Sequence, residues 1–421
     1  MNKLKKFFKK LGPGFITGAS DDDPSGIATY AQTGAAFGYS QLWTALFSFP
    51  FMTVIQEMCG RIGMVTGKGI AVIVKENYAK PVLYIAVFLL ALANTINIGA
   101  DLGAMASSAK LVIGMPFEIL LFIFTAVILI LEVLVPYPAY ARFLKYLAFS
   151  LLAYVIAAFV IKQDYAKIAI STFVPYFSLD RTYLLNIVAL LGTTISPYLF
   201  FWQADEEIEE EIEHNKLRAM GRGVPKVRRG DIREMRFDTT LGMFFSNLIT
   251  FFIIVTAAST LNLHNIKNIQ TASDAAQALR PIAGDFAFLL FALGIVGTGM
   301  LAVPILAGSA SYAISESFNW KVGLGKKFTQ AHGFYGVITI ATLIGLFVNF
   351  VSIKPFQMLY YTAVLNGIVA PPLMILIMLI GNNKKIMREY TNSSASNILG
   401  WIITIVMTIA AISLLLTLWK K

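Results

Sequence analysis

The sequence predicts an all-α polytopic membrane protein with eleven transmembrane helices, the first and sixth of them broken. Three observations lead there. Hydrophobic residues make up 57% of the 421 positions and charged ones only 14%. Several apolar runs exceed the roughly 18 residues needed to cross a hydrocarbon core. Finally, GASDDDPSGIAT (18–29) interrupts the first run with three consecutive aspartates and a proline, and LLGTTISPYLFFWQ (190–203) interrupts the sixth with Pro197.

The apolar stretches fall at 11–33, 41–62, 80–108, 116–135, 142–162, 182–204, 238–260, 284–316, 333–351, 356–381 and 398–419, separated by polar or Pro/Gly-marked breaks. The first lacks a small-residue cleavage site and leads straight into DDDPSG, so it reads as a retained span and not a signal peptide. Cys59, the single cysteine, lies in the second and reads as a small buried hydrophobe.

Lysine and arginine set the orientation. The amino-terminal segment 1–10, MNKLKKFFKK, holds five lysines. With it inside, the inner loops collect Arg61, Lys68, Lys75 and Lys80, then Arg142 and Lys145, then the basic residues of the loop 205–237, and finally Lys321, Lys326, Lys327, Lys384, Lys385 and Arg388. The amino terminus is expected in the cytoplasm and the carboxyl terminus outside, in a prokaryotic inner membrane. The net charge of +10 is then a topology signal, and no nucleic-acid module is visible.

An aspartate at the centre of a continuous helix costs about 2.5 to 3.5 kcal/mol on insertion scales. Three would cost about 7 to 10 if simply added, so a regular lipid-facing helix is excluded. Pro24 lacks a backbone donor and disfavours helical geometry at Asp23, so DPSG is expected to unwind the span into two half-helices, with breaks at 23–26 and 195–198. Free carbonyls at the end of one half-helix and a carboxylate beside them invite a cation. Five spans separate each break from the end of its half. An odd number per repeat forces opposite orientations, so residues 11–162 and 182–381 read as inverted repeats with a shared midplane site, and 398–421 as one further helix.

Beyond this pattern, GPGF (12–15), DPSG, TGAAFGYSQLW (33–43), IQEMCGRIGMVTGKG (55–69), GADLGAMASS in the third span, the SPY break and GSASYAISESF (308–318) resemble the NRAMP divalent-metal transporters, with their LeuT-like 5+5 inverted repeat. The resemblance carries Asp23 over as the metal carboxylate. At the other motif positions the chain departs from the family. Gly26 stands where the family has its ligating Asn, Thr193 at the Ala position, Ser196 at the Met position and Tyr198 at the His position. The third-helix Asp-Leu-Ala-Glu survives as Asp101, Leu102, Gly103 and Ala104. These departures resemble the NRAMP-related magnesium branch.

Loss of the thioether favours hard ions such as Mg2+, Ca2+ or Mn2+, and Gly and Ser in place of Asn and Met are expected to leave room for a partly hydrated ion. Tyr198 does not titrate near neutrality, and His214, His264 and His332 lie in or beside loops, so proton coupling is expected to be lost. Candidate metal residues are Asp23, Gly26, Thr193, Ser196 and Asp22; pathway or gating candidates are Tyr198, Asp101, Asn366 and Asp21. Asp21 and Asp22 either meet the ion, directly or through water, or line the vestibule and hydrogen-bond freed backbone. Asp101 and Asn366 stand equally between pathway and packing roles, whereas Asn94 and Asn97 read as interhelical glue. The acidic run 205–213 either collects or releases cations at the inner mouth or, the reading preferred here, is a solvated extension of the sixth helix, and Glu57 and Glu132 read as snorkelling or pairing with nearby Arg or Lys.

Three other functions compete. A proton-coupled Mn2+/Fe2+ carrier shares the fold but needs the missing Met, Asn and His. An amino-acid carrier would set three aspartates against its substrate's carboxylate. A membrane-embedded Mg2+-dependent enzyme would need a second acidic cluster facing the first. The chain is therefore expected to be no enzyme and to need no cofactor; its partners are the transported divalent ion and the bilayer, with no obligate protein partner evident.

Overall fold

The computed structural model describes residues 12–135, 151–161, 163–351 and 353–419, the side chains of 282, 285 and 417–419 excepted. The basic segment 1–10, Arg142, Lys145 and most of the fifth apolar stretch lie outside the described residues. The first span comprises α1 (Pro13–Asp21) and α2 (Pro24–Phe37); α3 (Trp43–Thr66) is the second. A short α4 (Ile70–Asn77) precedes the third and fourth spans, α5 (Lys80–Ile113) and α6 (Phe117–Leu134). α7 (Leu152–Val160) belongs to the fifth, and α8 (Tyr165–Phe173) follows it. The sixth span is α9 (Arg181–Thr194) with α10 (Pro197–Glu213). Five long helices complete the set: α11 (Arg229–Ala257), α12 (Ala287–Ser317), α13 (His332–Val348), α14 (Pro355–Asn382) and α15 (Ser394–Trp419). Neither α4 nor α8 was expected from the apolar pattern.

Among the described residues, seven helical segments, with the broken sixth span taken whole, are long and apolar enough to cross a membrane on length and composition alone. The remaining stretches fall short for local reasons. The first is split at its break, the second buries Gln56, Glu57 and Arg61, and the ninth is 17 residues long.

Both breaks are narrower than expected. Asp22 (φ −84°, ψ 54°) and Asp23 (φ −68°, ψ 170°) leave the helical region, and Pro24 already opens α2. In the sixth span Ile195 (ψ 66°) and Ser196 (ψ 124°) do the same before Pro197 opens α10. Proline at the first helical position sacrifices no hydrogen bond, because that N–H has no intrahelical partner anyway, so Ser25, Gly26 and Tyr198 lie inside helices and not in the unwound links.

The two halves interlock by exchange. The first span packs along α11, the second helix of the other half, and α10 of the sixth span packs along α3, the second helix of the first half. On the pseudo-axis, α5 packs against α12, the third helix of each half. That reciprocity is the signature of a 5+5 inverted repeat. Glycines set the close approaches: a Cβ on Gly18 of α1 would stand 2.2 Å from the Gly242 carbonyl carbon of α11, and one on Gly63 of α3 would stand 2.0 Å from the Ala204 carbonyl oxygen of α10. Small residues at such crossings let backbones touch where no hydrophobic drive between helices exists.

Glu57 forms ion pairs with Arg61 (3.0 Å) and Arg236 (2.8 Å), as its sequence context suggests. Glu132 does not: among the described residues neither of its buried carboxylate oxygens meets a Lys or Arg. The acidic run also departs from expectation. α10 does continue through it, but Asp205, Glu207 and Glu211 are buried, because one face of α10 is enclosed by neighbouring helices and not by water. Outside the membrane, Asp180 caps α9 by accepting the Thr182 amide at 3.0 Å, and the Thr182 hydroxyl together with the Tyr183 amide hold its carboxyl below the usual carboxylate range.

Gly18→Val is expected to force α1 off α11 and lower the apparent melting temperature in a thermal-shift assay, an overpacking cost of about 1–3 kcal/mol or more. An unchanged melting curve would contradict the close crossing.

Candidate metal site

The two breaks face one another. A Cβ on Gly26 would stand 3.2 Å from Thr193 Oγ1 and 3.3 Å from the Tyr30 hydroxyl, and the Ser196 hydroxyl lies beside the Asp21 carboxylate. Below the break, the Tyr198 hydroxyl donates to the Ser20 carbonyl at 3.0 Å, tying α10 to the last turn of α1. Asp21, Asp22, Asp23, Thr193 and Ser196 are each at most 2% exposed.

Asp23 is the most fully oriented of the carboxylates. Its Oδ1 accepts from the Ser25 hydroxyl and the Gly26 amide, both at 2.7 Å, and its Oδ2 accepts from Asn97 Nδ2 of α5 at 2.9 Å. The Gly26 bond arises because Asp23 is the N-cap of α2, so the proline that ends the link also aims the carboxylate at the first free amides. Among the described residues Asp21 and Asp22 share the Ser246 hydroxyl of α11, 2.9 Å from Asp21 Oδ2 and 3.3 Å from Asp22 Oδ1, with Ser196 beside Asp21. One hydroxyl proton serves one of them at a time. Asp21 Oδ1 and the Asn97 carbonyl have no partner among the described residues.

Asp101 lies one turn beyond Asn97 on the same face of α5, fully buried, and among the described residues both its carboxylate oxygens lack a hydrogen-bond partner. Asn366 of α14 is also buried, its Nδ2 unpartnered. Among the described residues no lysine or arginine pairs with any of these aspartates. Buried carboxylates so placed need protons or a cation. No three His, Cys, Asp or Glu side chains converge tightly enough to chelate an ion among the described residues. The donor set that fits is mixed: an aspartate or two, the Thr193 and Ser196 hydroxyls, and carbonyls freed at the links. Such oxygens are hard donors.

Two wide cavities approach from opposite faces, and the site residues line neither. One, about 420 Å³, lies under Gly12 and Pro13 between α10 and α11; the other, about 450 Å³, is bounded by Gln32, Asn186 and Tyr360. The centre is thus closed on both sides.

Two expectations need correction. Gly26 leaves no open space, because Thr193 and Tyr30 fill the volume a larger side chain would take. Asn97 is not simple glue: it is the donor to Asp23, while Asn94 does serve packing, donating to the Leu306 carbonyl at 2.9 Å. Sequence reasoning also passed over Ser25, Tyr30 and Ser246. For Asn97 a signal existed in its i, i+4 spacing to Asp101; a lone serine in the seventh span carries none. Met105, one further turn along α5, sets its sulfur against Gly299, close to Pro24.

Interlocked halves with two broken spans around a closed polar centre define the LeuT-type transporter fold. The chain belongs to the natural resistance-associated macrophage protein-like (Nramp) family, whose model matches residues 14–417. The divalent metal cation transporter MntH of Yersinia pestis (strain Pestoides F) is 23% identical over 407 residues, 94% of this chain and 92% of its own. MntH of Yersinia pseudotuberculosis (serotype O:3, strain YPIII) matches to the same extent. The Eremococcus coleocola manganese transporter, solved with an aromatic bis-isothiourea compound, superposes with a TM-score of 0.73 at 14% identity, covering 98% of this chain and 87% of that one. Mhp1, a nucleobase-cation-symport-1 transporter in a closed conformation, gives 0.62 at 13% identity over 97% and 90%. Family membership sets the membrane-embedded enzyme reading aside.

Asn97→Leu removes the Asp23 Oδ2 donor inside a packed span. Metal uptake into proteoliposomes is expected to fall at least about tenfold, a charge-assisted hydrogen bond being worth roughly 1.5–3 kcal/mol. Asn94→Leu should cost stability and leave the rate per folded molecule nearly unchanged; equal losses in both variants would contradict the distinction.

Proposed function

We propose that the chain imports divalent metal ions by alternating access, with Mg2+ as the favoured cargo, Mn2+ as a competitor and no obligatory proton movement. The observation that carries this is the closed centre itself: buried aspartates with unmet electrostatic demand, surrounded by hydroxyl and amide groups from both breaks and α5. The relatives named divalent metal cation transporters, and the Eremococcus protein named a manganese transporter, support the ion class. The finer preference follows from donor chemistry. Ser196 and Thr193 offer oxygen at the sixth-span break, and hard oxygens suit Mg2+ and Mn2+.

In this reading Asp23 is the principal anionic ligand, held by three donors, with Thr193, Ser196 and Asp22 completing the shell through oxygen or water and Gly26 admitting Thr193 close to the break. Tyr198, Asp101, Asn366 and Asp21 line or gate the path. The halves at 11–162 and 182–381 rock about the site, the amino terminus faces the cytoplasm, and the membrane is the prokaryotic inner membrane. An inside-negative potential then drives a divalent ion inward by about 4.6 kcal/mol per 100 mV. Tyr198 acts as a tether from α10 to α1 and not as a proton relay.

A second reading has its own observation. Asp101, unpartnered and close to Asp23, could carry a proton alongside the metal, and the Met105 sulfur lies near Pro24; together they favour a proton-coupled Mn2+ or Fe2+ carrier.

Asp23→Ala is expected to abolish divalent uptake in proteoliposomes while insertion into the membrane is retained, since an expensive charge is removed. Wild-type uptake by a well-folded variant would exclude the ligand role. For the cargo, Mn2+ uptake is measured against excess Mg2+ with a lumenal pH dye. The proposal expects Mg2+ to suppress the Mn2+ signal with no metal-dependent acidification. Undiminished Mn2+ uptake accompanied by acidification would restore the proton-coupled reading.

A further inference from the structure

The cavity on the basic-loop face, cytoplasmic by the charge rule, does not belong to the central site. It opens beneath the amino end of α1, between α10 and α11, and among the described residues is lined by Glu207, Glu210, Glu211, Asp231, Glu234 and Asp238 with His214 and Lys216. Lys216 is already committed to Asp231 at 3.0 Å, and His214 lies 3.9 Å from Glu210. Asp238 caps α1: its Oδ2 accepts the Phe15 amide at 3.0 Å, which accounts for one negative charge at a helix amino terminus. Glu207, Glu211 and Glu234 form no ion pair among the described residues, although the charge of Lys216 is felt at Glu210 and Glu211.

Acidic side chains at a helix end normally face water; several of these do not. Glu211 is 2% exposed and Asp238 7% exposed, and among the described residues both Glu211 carboxylate oxygens and Asp238 Oδ1 have no hydrogen-bond partner. Glu207, also 2% exposed, accepts only a neutral Gln203 amide, at 2.7 Å. Asp238 Oδ2 and Glu210 Oε2 lie 3.2 and 3.3 Å from the point where a Cβ on Gly12 would stand, so the two carboxylates crowd the same backbone. Carboxylates packed this way repel one another unless protons or a cation neutralise them.

We propose that this vestibule is a second divalent-cation site, one that holds the ion with its water shell. Size and donor geometry both favour a hydrated ion. Six waters at about 30 Å³ each need about 180 Å³, and the cavity offers about 420 Å³. No three carboxylates converge for direct chelation among the described residues, which leaves contact through bound water, the mode a reluctantly dehydrating ion such as Mg2+ prefers. The bound ion bridges Glu207 and Glu211 of α10 to Asp238 and Glu234 of α11, directly below the start of α1. It therefore receives cargo released from the centre, and while occupied it braces the three helices that close the inner side. The proposal rests on the divalent-ion reading of the chain, not on which ion the centre prefers.

The test counts Mn2+ by electron paramagnetic resonance on the full-length protein in detergent, in an Asp23→Ala background that removes the principal central ligand. One Mn2+ should remain bound, displaceable by Mg2+, with exchangeable-proton couplings from its water shell that disappear in D2O. Adding Glu211→Gln should weaken it at least about tenfold. Glu234→Gln, at an exposed position that tolerates the change, should weaken it several-fold if the buried variant is too unstable to titrate. No bound Mn2+ in the Asp23→Ala protein, or binding unchanged in both glutamine variants, overturns the vestibule site. Failure of the central-site reading would appear instead as wild-type uptake by Asp23→Ala, a result this count does not affect.

Discussion

A carboxylate buried in a membrane must be matched by a proton, a cation or enough hydrogen-bond donors, and most of this structure follows from how four aspartates meet that demand. Asp21, Asp22, Asp23 and Asp101 are all essentially removed from solvent. Asp23 is met by three donors, Asp21 and Asp22 by one shared hydroxyl, and Asp101 by none that the described residues supply. The graded shortage is what selects a cation. A fully satisfied centre would be glue, whereas an unsatisfied one binds and releases. The broken backbone contributes carbonyls and amides that a continuous helix would have paired internally.

The packing around the centre is arranged so that these donors come from elements able to move relative to one another. α1 touches α11 through bare backbone at Gly18 and Gly242, and is pinned at one end by Asp238 and at the other by Tyr198. The Tyr198 pin is a neutral hydrogen bond worth only about 1 kcal/mol net, whereas the Asp238 carboxylate collects backbone amides of the α1 amino end. By contrast, Asn97 reaches Asp23 from α5, which packs on α12 along the pseudo-axis. α1 and α5 thus belong to separately packed pairs, α1 with α11 and α5 with α12, that meet at the aspartates. The inner vestibule adds charge at the point where the mobile end is held.

Much of the fold was legible because its signals are local and strong. Apolar length and proline within DPSG and SPY each act on the chain segment that contains them. The boundaries of the breaks were less legible, since proline both ends one segment and starts the next, which placed Gly26 and Tyr198 inside helices. At the candidate site, motif positions pointed to Asp23, Thr193 and Ser196 but gave no view of the pocket around them. Its volume depends on Tyr30, a helical turn away from Gly26, and its hydrogen bonding on Asn97 and Ser246 from two other spans. Likewise, the burial of Glu207 and Glu211 is set by the packing of neighbouring helices around α10, which no periodicity in ADEEIEEEIEH reveals. Residues that act through long-range contact leave little trace in a single sequence.

The central claim is that one divalent ion sits between the two breaks, held by oxygen. Anomalous diffraction from crystals grown with Mn2+ tests it most directly. The account predicts a peak within about 2.5 Å of an Asp23 oxygen, or about 4 Å if a water intervenes, with Ser196 and Thr193 completing the shell and no sulfur in it. A peak seated on the Met105 sulfur, or none between the breaks while metal occupies the protein elsewhere, would contradict it.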